Sequence, residues 1–370
     1  MSDYKVPWID LQLRFQEERD EIMACLERVL SRGHLVLTEE VGAFEAAVAA
    51  FTGARHCVAL NSGTDSLMMA LWAAGVGKGD EVIHPPVSFV ATTGAIVHVG
   101  ATPVFCDVGD DQLIDPAQIE RQITPRTKAI MPVHWTGRMC DMPAILDIAE
   151  RHGLIVVEDS AQSMGSYMND RHGGTFGVAG GISFHPLKNL NALGDGGMML
   201  TDDDDIARKV RLYHNHGLRA RDDVEVYGVN SRLDSLNAEV LRFRLARLDD
   251  VISKRRRNAN LYRELIKAPE VSIPAEKDNC RDSYVMFLVL AERRDALKAH
   301  LEAASVQTLV YYGTPLHLHD AAKSLGYGQG DFPVAEAQCA RVLALPHHQN
   351  LSEDQVAYVA GEVNAFYGLG

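Results

Sequence analysis

Lys188 lies in Ser183-Phe184-His185-Pro186-Leu187-Lys188-Asn189-Leu190, between two Gly-rich turns. Upstream, Asp159 ends the apolar run Leu154-Ile155-Val156-Val157-Glu158-Asp159. An amine and a strand-end carboxylate in this order suit chemistry at a carbon beside nitrogen. The amine can hold an aldehyde as an imine, and the acid can keep a pyridine nitrogen protonated as an electron sink. Pyridoxal phosphate (PLP) asks a protein for those two groups. A lysine alone is ordinarily a solvated cation and a strand-end aspartate ordinarily caps a helix, so the pair carries the reading.

Other segments fit the same cofactor. Asn61-Ser62-Gly63-Thr64-Asp65 follows the strand-like Cys57-Val58-Ala59-Leu60 and opens a helix. Backbone N–H groups and a hydroxyl at the positive end of a helix make a phosphate cup, although a plain Ser or Thr N-cap reads the same way. Ser183 adds a hydroxyl near the lysine. Phe89 starts a helix just past a strand, where its ring stacks on a flat cofactor or serves only the core. Gln162 would reach the phenolic oxygen if Asp159 reaches the ring nitrogen. Arg219 and Arg221 offer a clamp for a carboxylate or a diphosphate, with solvated loop arginines as the plain alternative.

A scaffold must bring these groups together. From about residue 55 to 202, short apolar runs (Glu81–His84, Thr102–Cys106, Lys128–Val133, Leu154–Val157) alternate with helical patterns (Asp65–Ala74, Val90–Val99, Met142–Arg151). Gly180–Phe184 and Gly197–Thr201 read as a strand pair flanking Lys188. The alternation predicts crossover units, an α/β fold and a mostly parallel sheet, with ligands at the carboxyl ends of its strands. After Asp234 comes one long helical pattern, from Leu236 to about Leu265. Its basic run Lys254-Arg255-Arg256-Arg257 reads as a solvated face. Past Pro269, a strand at Tyr284–Val289, a helix at Arg293–Ala304 and a strand near Thr308–Tyr311 imply a smaller α+β unit. The expected division is a large α/β domain with the N-terminal segment over 1–245 and a small C-terminal α+β domain over 246–370.

The formal net charge of −14 argues against nucleic acid or an anionic membrane as partner. Six scattered cysteines without a C-x-x-C pair read as small buried hydrophobes in a reducing compartment, with no metal site. The charged start Met1-Ser2-Asp3-Tyr4-Lys5 carries no long apolar stretch, so neither signal peptide nor membrane span is expected, and the location follows as cytoplasmic. No G-x-G-x-x-G follows the first strand of a crossover unit, which sets aside a dinucleotide-dependent oxidoreductase.

The order and wording of the blocks resemble the DegT/StrS family of sugar aminotransferases, within fold-type I PLP enzymes. The resemblance runs from Val6-Pro7-Trp8-Ile9-Asp10-Leu11 to Leu345-Pro346-His347. It rests on Ser62-Gly63-Thr64-Asp65, Gly79-Asp80-Glu81-Val82-Ile83, Gly100-Ala101-Thr102-Pro103-Val104-Phe105, Glu158-Asp159-Ser160-Ala161-Gln162, Lys188-Asn189-Leu190 with Gly194-Asp195-Gly196-Gly197, and Asn230-Ser231-Arg232-Leu233-Asp234. It implies a mixed, mostly parallel seven-stranded sheet with a smaller C-terminal domain, and a homodimer with active sites at the interface. Lys188 would hold PLP and Asp159 would pair with its ring nitrogen. Gln162 would sit by the ring oxygen and Phe89 on the ring face. Gly63, Thr64 and Ser183 would hold the phosphate, joined by Asn230 from the partner subunit. His317, in Pro315-Leu316-His317, matches a position near the substrate.

Two segments depart from the family pattern. The usual Gly-aromatic pair with a second Gly reads Gly33-His34-Leu35-Val36-Leu37-Thr38, and the customary Tyr before Gly137 is Thr136. Both line the substrate side, which puts the sugar in doubt rather than the cofactor. The loop Asn189–Asp195 is more similar to the branch that aminates C3 of nucleotide-linked keto-sugars than to the C4 branch. The expected reaction is a ping-pong transfer from L-glutamate to a nucleotide-linked keto-hexose, for a surface polysaccharide. Competing readings are a keto-sugar acid such as an oxidised octulosonate as acceptor, and a non-enzymatic PLP-binding regulator. A sugar dehydratase is disfavoured, because relatives of that kind replace the lysine with His.

Overall fold

The computed structural model describes residues 4–369; Met1–Asp3 of the charged N-terminus lie outside them. Seven strands form the central sheet: β1 (His56–Leu60), β2 (Glu81–His84), β3 (Thr102–Phe105), β4 (Thr127–Ile130), β5 (Ile155–Asp159), β6 (Ala179–Ser183) and β7 (Gly197–Thr201). Their order is β1-β7-β6-β5-β4-β2-β3, and β7 alone runs against the rest. This is the mostly parallel α/β sheet that the alternating pattern predicts, mixed and seven-stranded as the resemblance implies.

Both faces of the sheet are covered, as a parallel sheet requires. Successive side chains point to opposite faces. Thus Val58, Leu60 and Met199 pack with the helices Gly63–Ala73 and Val90–His98, while Ala59, Met198 and Leu200 pack with Glu39–Thr52 and Ser235–Leu245.

A second, antiparallel sheet joins Val271–Ser272, Phe287–Ala291 and Val342–Leu345. Apolar residues of the helices Leu248–Leu265, Arg294–Ala303 and Glu353–Phe366 build a core against it. The N-terminal segment is tied to this region. Val6 bridges to Val306, Trp8 N–H donates to Gln307 Oε1 at 3.0 Å, and His347 N–H donates to the Trp8 carbonyl at 3.2 Å.

Four expectations fail for physical reasons. The single helix after Asp234 is two, Ser235–Leu245 and Leu248–Leu265. No Pro or Gly marks the break; a new acidic first turn, Asp249 and Asp250, marks it instead. The basic run is not all solvated: Arg255 is 1% exposed, and its Nη1 donates to the carbonyls of Tyr284, Val285 and His347. The strand expected at Tyr284–Val289 begins at Phe287. Ser283 and Val285 N–H instead donate to the carbonyls of Gly137 and Thr136, and Tyr284 turns at φ +46°. Near Thr308–Tyr311 there is only the bridge Leu309–Ala344.

All six cysteines are free, and all but Cys280 are buried. No helix among the described residues is long and apolar enough to cross a membrane.

Candidate active site

Strand ends supply the walls of a cavity of about 380 Å³. β5 delivers Asp159, β6 delivers Ser183, and the turn after β1 delivers Ser62, Gly63 and Thr64. Phe89 and Thr92 come from the start of the helix beyond β2. The loop between β6 and β7 holds Lys188. Ser183 and Gly197 are the last paired residues of that hairpin, and two bonds close the loop beyond them: Phe184 N–H to the Gly196 carbonyl (2.8 Å) and Ala192 N–H to the Phe184 carbonyl (2.7 Å). Phe184 and Leu190 anchor it in the core, both fully buried.

The expected phosphate cup depends on glycine. A Cβ on Gly197 would sit 2.2 Å from the carbonyl carbon of Ser62, so β7 could not carry a side chain there. Ser62 caps the helix Gly63–Ala73 by accepting the Asp65 N–H at 3.1 Å, which leaves the first N–H groups of the helix open beside Ser183.

Asp159 is 5% exposed. Burial raises its carboxyl above the ordinary range, opposed by hydrogen bonds from Thr92 and the Ala161 N–H and by the charges of Lys188 and His134. Thr92 Oγ1 donates to Oδ2 at 2.6 Å and Ala161 N–H to Oδ1 at 3.2 Å. Burial pushes the Lys188 amine down to about 8, with the Asp159 charge pulling the other way. An amine shifted toward neutrality is a better nucleophile at physiological pH. Glu158, pointing to the opposite side of β5, accepts the backbone N–H groups of Gly174, Phe176 and Gly177 and contacts His134 Nε2 at 2.8 Å. It fixes the strand from behind.

Gln162 accepts the Thr136 N–H on Oε1 at 2.7 Å, which sets the amide orientation and leaves its NH2 as the remaining donor. Phe89 lines the cavity, half-exposed, with its ring 6.1 Å from that of Tyr312.

The remaining expected residues lie elsewhere in the chain. Asn230 is exposed and outside the cavity wall. His317 is buried, with Nε2 3.1 Å from Glu336 Oε1 and its ring against Phe332. Arg219 sits in an exposed hairpin, paired with Asp223 at 2.9 Å, and Arg221 is exposed in the same turn. None of these four is among the residues lining the cavity.

Sequence reasoning missed the aromatic wall: Trp8, Trp135, Tyr311 and Tyr312 all line the cavity. Trp8 stacks on Tyr311 with centroids 5.3 Å apart and planes 18° from parallel. It also missed Thr92, whose signal was a hydroxyl on the first turn of the helix that Phe89 opens.

The groups present fit PLP. A half-buried amine, a buried carboxylate, an aromatic face and a glycine-lined helix start surround one cavity large enough for a flat ring. Fold and site together are those of a PLP-dependent aminotransferase. The chain belongs to the DegT/DnrJ/EryC1/StrS aminotransferase family, whose model it matches over residues 16–364. It is 41% identical over 366 residues to the "Pleiotropic regulatory protein" of Geobacillus stearothermophilus, covering 98% of both chains. It is also 41% identical over 356 residues to the UDP-N-acetyl-3-dehydro-alpha-D-glucosamine 3-aminotransferase of Acidithiobacillus ferrooxidans, covering 96% of both. Among solved structures it is similar to S. venezuelae DesV in complex with a ketimine intermediate. That match has a TM-score of 0.96 and 38% identity, over 98% of each chain.

Proposed function

We propose that this enzyme moves an amino group from L-glutamate to C3 of a nucleotide-linked keto-hexose, by a ping-pong mechanism. The observation that carries the chemistry is the placing of Lys188 and Asp159 on one cavity at the carboxyl ends of the sheet. Bound PLP supplies a protonated ring that takes up the electron pair left when the substrate carbon loses its proton. Lys188 would hold the cofactor through its aldehyde and be freed when the donor amine binds there. The freed amine then takes the proton from the donor's α-carbon, and its depressed pKa suits that task. Asp159 would keep the ring nitrogen protonated. Phe89 would cover a ring face, the Gln162 NH2 would meet the ring oxygen, and Gly63, Thr64 and Ser183 would hold the phosphate.

The Asn189–Asp195 loop and the name of the Acidithiobacillus ferrooxidans relative support C3 of a nucleotide sugar. A homodimer would bring Asn230 of a second subunit to the phosphate and cover the exposed Leu35-Val36-Leu37. We place the domain division at residues 245 and 246, the enzyme in the cytoplasm, and its product in a surface polysaccharide. Arg219 and Arg221 would then serve substrate from across the interface or not at all, whereas His317 is held inside the subunit by Glu336 and Phe332.

The test is mass spectrometry of products from glutamate with UDP- and dTDP-linked 3-keto sugars, 4-keto sugars and a keto-octulosonate. Conversion of the 3-keto substrates alone is expected; amination only of the sugar acid would overturn the substrate reading. The relative named as a regulatory protein favours a second reading, a PLP-binding regulator. It predicts cofactor absorbance without any glutamate-dependent conversion.

A further inference from the structure

Ser88, Thr92 and Asp159 form a buried chain of hydrogen bonds whose direction is fixed by its donors. Thr92 has one hydroxyl proton and gives it to Asp159 Oδ2 at 2.6 Å. Ser88 Oγ lies 2.6 Å from the same Thr92 oxygen, so with that proton committed Ser88 must be the donor. Ser88 is 4% exposed and Thr92 1%. The order Ser88 to Thr92 to Asp159 requires Oδ2 to be an acceptor, as it is in the carboxylate. A proton on Oδ2 would turn the Thr92 bond round and force the chain of hydroxyls to rearrange.

The same short segment carries Phe89, between the two hydroxyl residues, and the Thr92 N–H donates to the Phe89 carbonyl at 3.1 Å. One helix start therefore holds both an aromatic face of the cavity and the donor that grips the acid at the end of β5. The groups whose charge bears on Asp159 are Lys188, across the cavity, and His134, behind it; the Ala161 N–H is its other donor. Neither cation replaces the Thr92 bond, because neither makes a hydrogen bond to Oδ2.

We propose that Thr92, backed by Ser88, is a positioning residue that keeps Asp159 ionised and fixes its distance from the ring that Phe89 covers. This rests on the reading of Asp159 as the partner of the cofactor's ring nitrogen. Removing the donor favours the neutral acid, so protonation sets in at a higher pH as the medium is acidified.

The experiment titrates the absorbance of the holoenzyme against pH for wild type, Thr92→Val, Thr92→Ser and Ser88→Ala, alongside the pH profile of kcat/KM. Thr92→Val keeps the shape and removes the donor. It should move the acid-side transition up by about one pH unit, the size expected for one hydrogen bond to a charged group. Thr92→Ser should restore the wild-type transition, and Ser88→Ala should move it the same way by less. Coincident titrations of Thr92→Val and wild type would overturn the proposal. So would a serine variant that behaves like the valine one, since that would mean the methyl group rather than the hydroxyl matters. A wild type with no cofactor absorbance at all would instead sink the reading of the site.

Discussion

Gly63 and Ser183 abut: a Cβ on Gly63 would lie 2.7 Å from the Ser183 Cβ and 3.1 Å from its Cα. A helix start and a strand end thus meet with no room for a methyl group. Gly63→Ala should push them apart, costing about 1–3 kcal/mol of stability as an overpacking change. PLP affinity should fall with it, because the N–H groups and the hydroxyl no longer converge. Denaturant midpoints and cofactor titration of the cofactor-free protein check both effects.

Lys188 titrates near 8 rather than at its ordinary 10.5, because burial disfavours the cation more than Asp159 favours it. Only the neutral amine attacks an aldehyde. The rate of PLP uptake should therefore rise with pH through about 8 and level off above it. A midpoint near the ordinary lysine value would contradict the burial described here. Lys188→Ala should abolish both turnover and the absorbance of the bound aldehyde.

Glu158 accepts three backbone N–H groups at 2.6–2.8 Å and faces His134 from a fully buried position. Glu158→Gln turns one of its acceptors into a donor against those N–H groups. The expected cost is about 3 kcal/mol, the scale of a broken buried charge network. Chemical denaturation measures it, and a change under 1 kcal/mol on the same scale would show that the network relaxes.

Trp8 reaches the cavity from the N-terminal segment and stacks on Tyr311. On the expectation that this aromatic wall faces the sugar, Trp8→Ala should raise KM for the keto-sugar about tenfold, the loss of one stacking contact. KM for glutamate should change far less. Equal changes in both would assign the pair to the fold alone.

Much of the sheet was legible because its strands are short, apolar and punctuated by helical segments. Lys188, Asp159, Gln162 and the Ser62-Gly63-Thr64 turn were legible because strand ends gather ligands in such sheets. Trp8, Tyr311 and Tyr312 were not. They come from the two ends of the chain, and nothing local announces that Trp8 N–H meets Gln307. Arg255 hid in a run of cations, since its burial depends on three carbonyls that no periodicity reveals. The break before Leu248 lacked Pro or Gly, so the helical pattern ran straight through it.

The strap at Val6–Trp8 has a consequence for biosynthesis. During translation Trp8 emerges well before Gln307, whose side-chain oxygen accepts its N–H and which follows 299 positions later. Contacts of such sequence separation form late. Throughout elongation the nascent polypeptide must carry an unmated indole, and no ribosome-bound fragment ending before that glutamine can assemble the finished aromatic wall.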